Sequence, residues 1–241
     1  MSPADKVAVV AALEQEIAPL VSGWKRRELP HDGRGAVIYE MADTVAMAGG
    51  IGPRYARRAA ELLFEIYRPA VFISTGFAGA LTPDHHIGDV LIASAVIDAM
   101  HGANYPSLGR GGLIVSTPGI AGADEKRALR EQYTAEAVDL EAAAVAAFAQ
   151  EHGLKFLAVK AISDEVSDSL PPFARFIHDG RFDQRAFARY ALVRPWIWPR
   201  LLRIATEASY AAKQLCAELR HLLAAGDFSP PRTRAMRVAR K

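Results

Sequence analysis

The sequence predicts an α/β fold around a largely buried, mostly parallel or mixed sheet, and three observations carry that reading. Short apolar runs rich in Val and Ile recur from residue 7 to residue 164, with the length and β-branched content of strands. Stretches of helical character separate several of them, and strand alternating with helix is the pattern of α/β architecture. The runs are apolar on both sides, as strands covered on both faces are. A chain of 241 residues, 51% hydrophobic and 23% charged, fits one globular domain, placed at residues 1–225, with an appendage behind it.

The elements follow in order. VAVVAAL (7–13) leads directly into Glu14 and Glu16 and has neither a strong basic flank nor a cleavage site, so it reads as a strand rather than a signal peptide. AVIYEM (36–41) and TVAMAGG (44–50) are the next strands, and residues 54–67 are helical. AVFISTG (70–76), DVLIASAVI (89–97) and GLIVST (112–117) are strands, followed by a helix over 124–133. A helix over 142–152 stops at Gly153, and KFLAVKAISD (155–164) is a strand. Pro171-Pro172, Gly180 and scattered aromatics then make 165–184 a long, lid-like loop. Helical spacing returns over 186–223, interrupted at Pro195 and Pro199, with Leu201, Ile204, Ala212, Leu215 and Leu219 on one stripe. Residues 226–241 read as a disordered basic tail.

Several function classes fall away. The single cysteine, Cys216, excludes an internal disulfide framework and a Cys-rich zinc site, and its place on an apolar helical stripe suits a buried thiol. No uncharged stretch approaches the roughly 20 residues that span a bilayer, so a cytoplasmic protein is expected. The histidines are scattered, and the adjacent His85 and His86 would diverge even on a strand; they read as surface or loop residues, and no metal site is expected. There is no G-x-S-x-G elbow, no P-loop and no G-x-G-x-x-G after a strand, while SLGRGG (107–112) has no helix behind it and reads as a turn. Charge is uneven: residues 189–241 hold 11 Lys and Arg against 3 Asp and Glu, leaving 18 against 24 for residues 1–188. A basic end on an acidic body suits an anionic partner or a solubilising tail.

In open α/β sheets, sites form beyond the carboxyl ends of the strands. Four strand ends here carry chemistry: ALEQE with Glu14 and Glu16, STGFAG (74–79), VDLE ending in Glu141, and ISDE with Ser163 and Asp164. Gly76 and Gly79 would let a ligand approach the backbone. Each acid alone reads as a helix cap or a surface charge. Together they point to one site. Glu141 poses the sharpest question, because a carboxylate entering an alanine-rich helix costs several kcal/mol unless something neutralises it.

The motifs AALEQEIAPL, GGIGPRYARRAAELL, ISTGFAGAL, GLIVST, VDLEAAAVA and VKAISDEVSD, spread over residues 7–168, occur in the order found in the nucleoside phosphorylase and nucleosidase superfamily. They most resemble the bacterial methylthioadenosine/S-adenosylhomocysteine nucleosidases. The resemblance implies a single α/β/α domain with a mixed, partly barrel-like central sheet, and cleavage of an N-glycosidic bond between ribose and a purine. Carried over by position, Glu141 binds the ribose hydroxyls, Asp164 protonates the leaving purine at N7 and Glu16 activates an attacking water. Leu140, Gly76, Phe77, Ala78, Ser163 and Lys160 complete the substrate-binding set.

A buried anion beneath a ribosyl cation would stabilise its oxocarbenium character, and sugar hydroxyls would compensate its burial. An apolar strand end would help a carboxyl hold the proton that the purine needs. There are departures. Phe77 replaces the family's serine, Lys160 its arginine and Leu140 its methionine, and the base-stacking phenylalanine has no counterpart near Thr117–Ile120. The phosphorylases' phosphate-binding arginine motif is absent, with Arg54 and Lys160 as candidates for its role and surface charge as the alternative.

The short span from Asp89 to Gly112 and the segment YALVRPWIWPRLLRIA (190–205) resemble a narrower branch, the hopanoid-biosynthesis-associated phosphorylases. That branch implies release of adenine from adenosylhopane, by phosphorolysis or hydrolysis, with inorganic phosphate as co-substrate in the first case and no other cofactor. The alternatives are a methylthioadenosine/S-adenosylhomocysteine nucleosidase and a non-catalytic nucleoside-binding module. Retention of Glu16, Glu141 and Asp164 together argues against the last. The expected partners are a small nucleoside, a second copy of the chain in a homodimer or larger oligomer, and a membrane surface touched peripherally through Trp196, Trp198 and the neighbouring arginines. No nucleic acid is expected.

Overall fold

The computed structural model describes residues 6–30, 35–168 and 170–228. Strand β1 (Val7–Ala11) is buried along its whole length because it lies between two parallel partners, β4 (Thr44–Ala48) and β5 (Val71–Ala80). Antiparallel pairing extends the sheet from β4 through β3 (Ala36–Met41) to β2 (Lys25–Leu29). On the other side of β1 the sheet closes on itself. β5 pairs both β9 (Ala137–Asp139) and β10 (Lys155–Asp164); β6 (Val90–Asp98) pairs β10 and β8 (Gly111–Ser116); β8 pairs β9. The ring β5–β9–β8–β6–β10 is a five-stranded barrel set in a mixed sheet, the partly barrel-like sheet that the family resemblance implied. A short strand, β7 (Asn104–Pro106), extends it from β6.

Helices cover the sheet on both sides. On one side, α2 (Pro53–Tyr67) packs on α4 (Ala142–Glu151), whose Ala142, Ala143, Ala146 and Ala149 are small enough to bring it down onto the sheet. Phe148 fills the space between, meeting Phe64 and Phe72 edge to face. Pro53 opens α2 at the position where its missing N–H costs nothing. On the other side, α1 (Glu14–Val21) and the second half of α6 (Trp198–Ala225) pack together, burying Ile17, Leu20, Leu215 and Leu219. Helix α3 (Ala123–Tyr133) follows β8.

Several expectations need correction. β2 is missed by an apolar-run criterion because KRREL is an exposed edge strand whose charges protect it from further pairing. Helix α1, with Pro19 inside it, begins at the first acid. His85 and His86, by contrast, lie in a loop as expected, where His85 meets Glu136 at 2.8 Å and His86 meets Glu165 at 3.1 Å. The lid-like stretch contains a two-stranded hairpin, β11 (Ile177–His178) with β12 (Arg181–Phe182), built on a cluster of Phe173, Phe176, Phe182, Phe187 and Tyr190. Helix α5 (Gln184–Leu192) follows, capped by the Asp183 carboxylate. Pro195 opens a single 3₁₀ turn, but Pro199 lies in the first turn of α6 and interrupts nothing. Residues 226–228 are not tail: Gly226 caps α6 and Phe228 is buried in the core. The rest of the predicted tail, 229–241, lies outside the described residues.

Candidate active site

The predicted strand ends converge. Register alone accounts for much of this, because β10 pairs β5 in parallel with Lys160 opposite Gly76 and Asp164 opposite Gly79. The register shifts between Ile162 and Asp164, so Ser163 is an extra residue that sets Asp164 against Gly79. Three residues of strand separate the Gly76 and Gly79 levels, about 10 Å. That is the scale of one nucleoside.

At the Gly76 level lies Glu16, buried in the first turn of α1 just beyond the end of β1. Its Oε2 accepts from the backbone N–H of Ala12 at 3.0 Å and Leu13 at 2.9 Å, and its Oε1 accepts from Phe77 at 3.3 Å. The helix-cap reading is therefore realised along with any functional one, since the first two donors open α1. Burial raises the Glu16 carboxyl above its ordinary value, against the pull of the Leu13 N–H, Lys160, and the Phe77 and Ala12 N–H groups. Gly76 is obligatory here: its φ is +130°, and a Cβ would stand 2.9 Å from Glu16 Oε2. At the other level, a Cβ on Gly79 would stand 2.8 Å from Asp164 Oδ2. The two glycines make room for the protein's own carboxylates, whereas the sequence suggested room for a ligand.

Glu141 is the N-cap residue of α4, 7% exposed, and its Oε1 accepts from the Gly52 N–H at 2.8 Å. Among the described residues no donor is hydrogen-bonded to its Oε2. Burial pushes its carboxyl up to about 7; Lys160 pulls it down while Asp139 and Glu16 push it further up. Leu140 beside it is half-buried.

Two residues that sequence reasoning did not single out hold the site together. Asp139 is buried at the end of β9, accepts from Ser116 Oγ and the Ala142 N–H, and pairs with Lys160 Nζ at 2.8 Å. Lys160 is wholly buried and also donates to the Thr75 carbonyl at 3.2 Å. Burial would lower its pKa, but Asp139, Glu141 and Glu16 together hold it above the ordinary lysine value. Lys160 is thus a fixed cation among three carboxylates and not an open phosphate ligand. Arg54, the other candidate for that role, is exposed on the first turn of α2, over the Tyr55 ring.

The second is Lys126 of α3, 2% exposed, which pairs with Asp164 Oδ2 and donates to the Glu165 carbonyl at 2.7 Å. Ser163 Oγ donates to Asp164 Oδ1 at 2.8 Å and reaches the Ala78 carbonyl at 3.4 Å. The apolar strand end expected around Asp164 is instead an ion pair. Nothing in the spacing of ADEKRALREQY distinguishes Lys126 from its charged neighbours. Asp139 was visible as the first acid of VDLE but indistinguishable from a cap, and it does cap α4.

A cavity of about 450 Å³ adjoins the site without reaching Asp164 or Glu141; its walls include Leu13, Met47, Gly49, Gly50, Tyr55 and Phe182. The hairpin tip closes over it, with the Ile51 N–H donating to the Gly180 carbonyl at 2.8 Å. A narrower cleft at Asp164 is walled by Leu170, Arg200, Arg203 and Ile204. The carboxylates cluster at the strand ends, and the larger hollow lies beside them.

The sequence matches the description "Phosphorylase superfamily" over residues 6–116 and 108–193. The chain belongs to the phosphorylase superfamily. Other members show how this one is related. It is 26% identical over 197 residues to a 5'-methylthioadenosine/S-adenosylhomocysteine nucleosidase of Staphylococcus epidermidis, covering 66% of this chain and 86% of that protein. A nucleosidase of the same name from Shewanella halifaxensis is 35% identical over 94 residues, 38% of this chain and 41% of the other. In fold, this superfamily member is similar to the Helicobacter pylori nucleosidase of that name, with a TM-score of 0.66, 17% identity, and coverage of 92% and 100% of the two chains. The futalosine hydrolase of Helicobacter pylori superposes with a TM-score of 0.65 at 18% identity, over 91% and 99%. The barrel-in-sheet fold of this phosphorylase-superfamily enzyme is therefore the shared one.

Proposed function

We propose that the protein cleaves the N-glycosidic bond of a 5'-modified adenosine and releases adenine. The observation that carries this reading is Glu141: a buried carboxylate with one oxygen held by the Gly52 N–H and the other without a donor among the described residues. Ribose hydroxyls would donate to that oxygen, and hydrogen bonds to the charged form would draw the carboxyl back toward ionisation as substrate binds. The anion then lies under the ribosyl group as positive charge develops on it. Glu16, raised by burial, is suited to accept a proton from an attacking water. Asp164, held in place by Lys126 at one oxygen and Ser163 at the other, is the group proposed to pass a proton to N7 of the leaving purine. Lys160 keeps the carboxylate cluster together without entering the reaction.

The 5' group is read as apolar. The cavity beside the Gly49–Gly50 turn has Leu13, Met47, Tyr55 and Phe182 in its walls together with Glu14, Arg58, Asp179, Arg181 and Gln184, and this turn leads to Gly52, the donor that holds Glu141. The resemblance of residues 190–205 to the hopanoid-associated branch makes adenosylhopane the first substrate to test. The named activities of the relatives favour methylthioadenosine or S-adenosylhomocysteine as the second. The test is release of adenine from each of the three, with and without phosphate, followed by identification of the sugar product as the free sugar or its 1-phosphate. Tight nucleoside binding with no adenine released would leave a binding module and overturn the proposal.

A further inference from the structure

We propose that the corner where α5 meets α6 docks onto an anionic lipid surface. This inference stands independently of which nucleoside is cleaved. Leu192, Val193, Trp196, Trp198 and Leu202 are 69%, 65%, 73%, 50% and 71% exposed, against a core in which leucines and valines are almost wholly covered. They are gathered by local bonds: Arg194 N–H to the Ala191 carbonyl, Ile197 N–H to the Arg194 carbonyl, and Trp198 Nε1 to the Ala191 carbonyl at 2.9 Å. Trp198 and Leu202 then stand one turn apart on the same face of α6. The stripe predicted along this helix divides in two. Ala211, Ala212, Leu215 and Leu219 pack on the body, whereas the first three turns do not bury their apolar side chains.

The charge around the patch selects its occupant. Residues 189–203 contain Arg189, Arg194, Arg200 and Arg203 and no Asp or Glu. Arg203 is engaged by Asp168 and Glu207, while Arg194 lies against the Tyr190 ring. A second copy presenting the same patch would set arginine against arginine. An anionic leaflet complements it, and tryptophan is the side chain best suited to the headgroup region. No helix among the described residues is long and apolar enough to cross a membrane, so the contact is peripheral. Because Arg200, Arg203 and Ile204 also wall the cleft at Asp164, docking would set one edge of the site at the bilayer surface.

The experiment is sedimentation of the full chain with vesicles of phosphatidylcholine alone or mixed with phosphatidylglycerol, at about 50 mM and about 500 mM salt. Co-sedimentation is expected with the anionic vesicles at low salt and its loss at high salt. Trp196→Ala/Trp198→Ala should weaken partitioning at least tenfold, and Arg189→Gln or Arg200→Gln about fivefold each. All four positions are exposed, and unchanged circular dichroism and melting would show that the variants fold. No binding to anionic vesicles at low salt would overturn the proposal. So would binding that the tryptophan variant retains, which would leave the contact to the basic residues beyond 228. A dimer in size-exclusion light scattering that the tryptophan variant abolishes, without lipid binding by the wild type, would make the patch a protein interface and equally overturn it.

Discussion

Replacing Glu141 with glutamine should make the protein more stable at the pH where it removes activity. Burial lifts this carboxyl from an ordinary 4.5 to about 7, so the folded protein binds the proton more tightly than the unfolded chain. The associated stability is fully present below about pH 4.5 and is lost as pH rises to about 7. At about 1.4 kcal/mol per unit, the ionised side chain costs the ligand-free fold about 3 kcal/mol. Glutamine is nearly isosteric and stays neutral. Glu141→Gln should therefore gain less than about 1 kcal/mol at pH 5 and about 3 kcal/mol at pH 8, a rise in melting temperature of about 6–12 °C in a domain of this size. Urea or thermal melts of both proteins at the two pH values, without nucleoside, measure the difference. Adenine release by the variant should fall by two orders of magnitude or more, because the anion under the ribosyl cation is gone. A variant no more stable relative to wild type at pH 8 than at pH 5 would refute the reasoning that this carboxylate awaits a ligand.

Asp164→Asn should cut turnover about 10²–10⁴-fold, and it should also destabilise the fold by about 3–5 kcal/mol because Lys126 is left buried without its counter-charge. Lys126→Met combined with Asp164→Asn should restore the melting temperature but not adenine release; recovery of both would remove Asp164 from the chemistry. Glu16→Gln should abolish hydrolysis while sparing any phosphate-dependent cleavage, since phosphate is already anionic; normal hydrolysis by the variant would dismiss Glu16 as the base. Lys160→Met removes the cation that pulls the Glu141 carboxyl down, so the acid limb of the pH–rate profile should move to higher pH, and an unmoved limb would argue against the coupling. Gly76→Ala should cost both stability and activity, because its Cβ meets the Glu16 carboxylate at a φ of +130°; a fully active variant would show that Glu16 can move away without consequence.

The sequence by itself determined the alternation that makes an α/β sheet. VAVVA and KFLAVKAISD are apolar without a break, and a strand of that kind must be covered on both faces. It also placed Glu16, Glu141 and Asp164 at strand ends, because each follows a run that can be read locally. Tertiary structure decided what those acids meet. Lys126 reaches Asp164 across 38 positions of chain, and Lys160 reaches Asp139 through a sheet register that no periodicity reports. The charged edge strand KRREL became a strand through pairing with β3, not through its own composition. The helical stripe after Leu201 shows the same division within one element: its spacing fixed a helix, but where the body ends decided that Leu215 is buried and Leu202 is not. Periodicity is a property of neighbours in the chain, whereas burial and charge pairing depend on residues brought together from far apart.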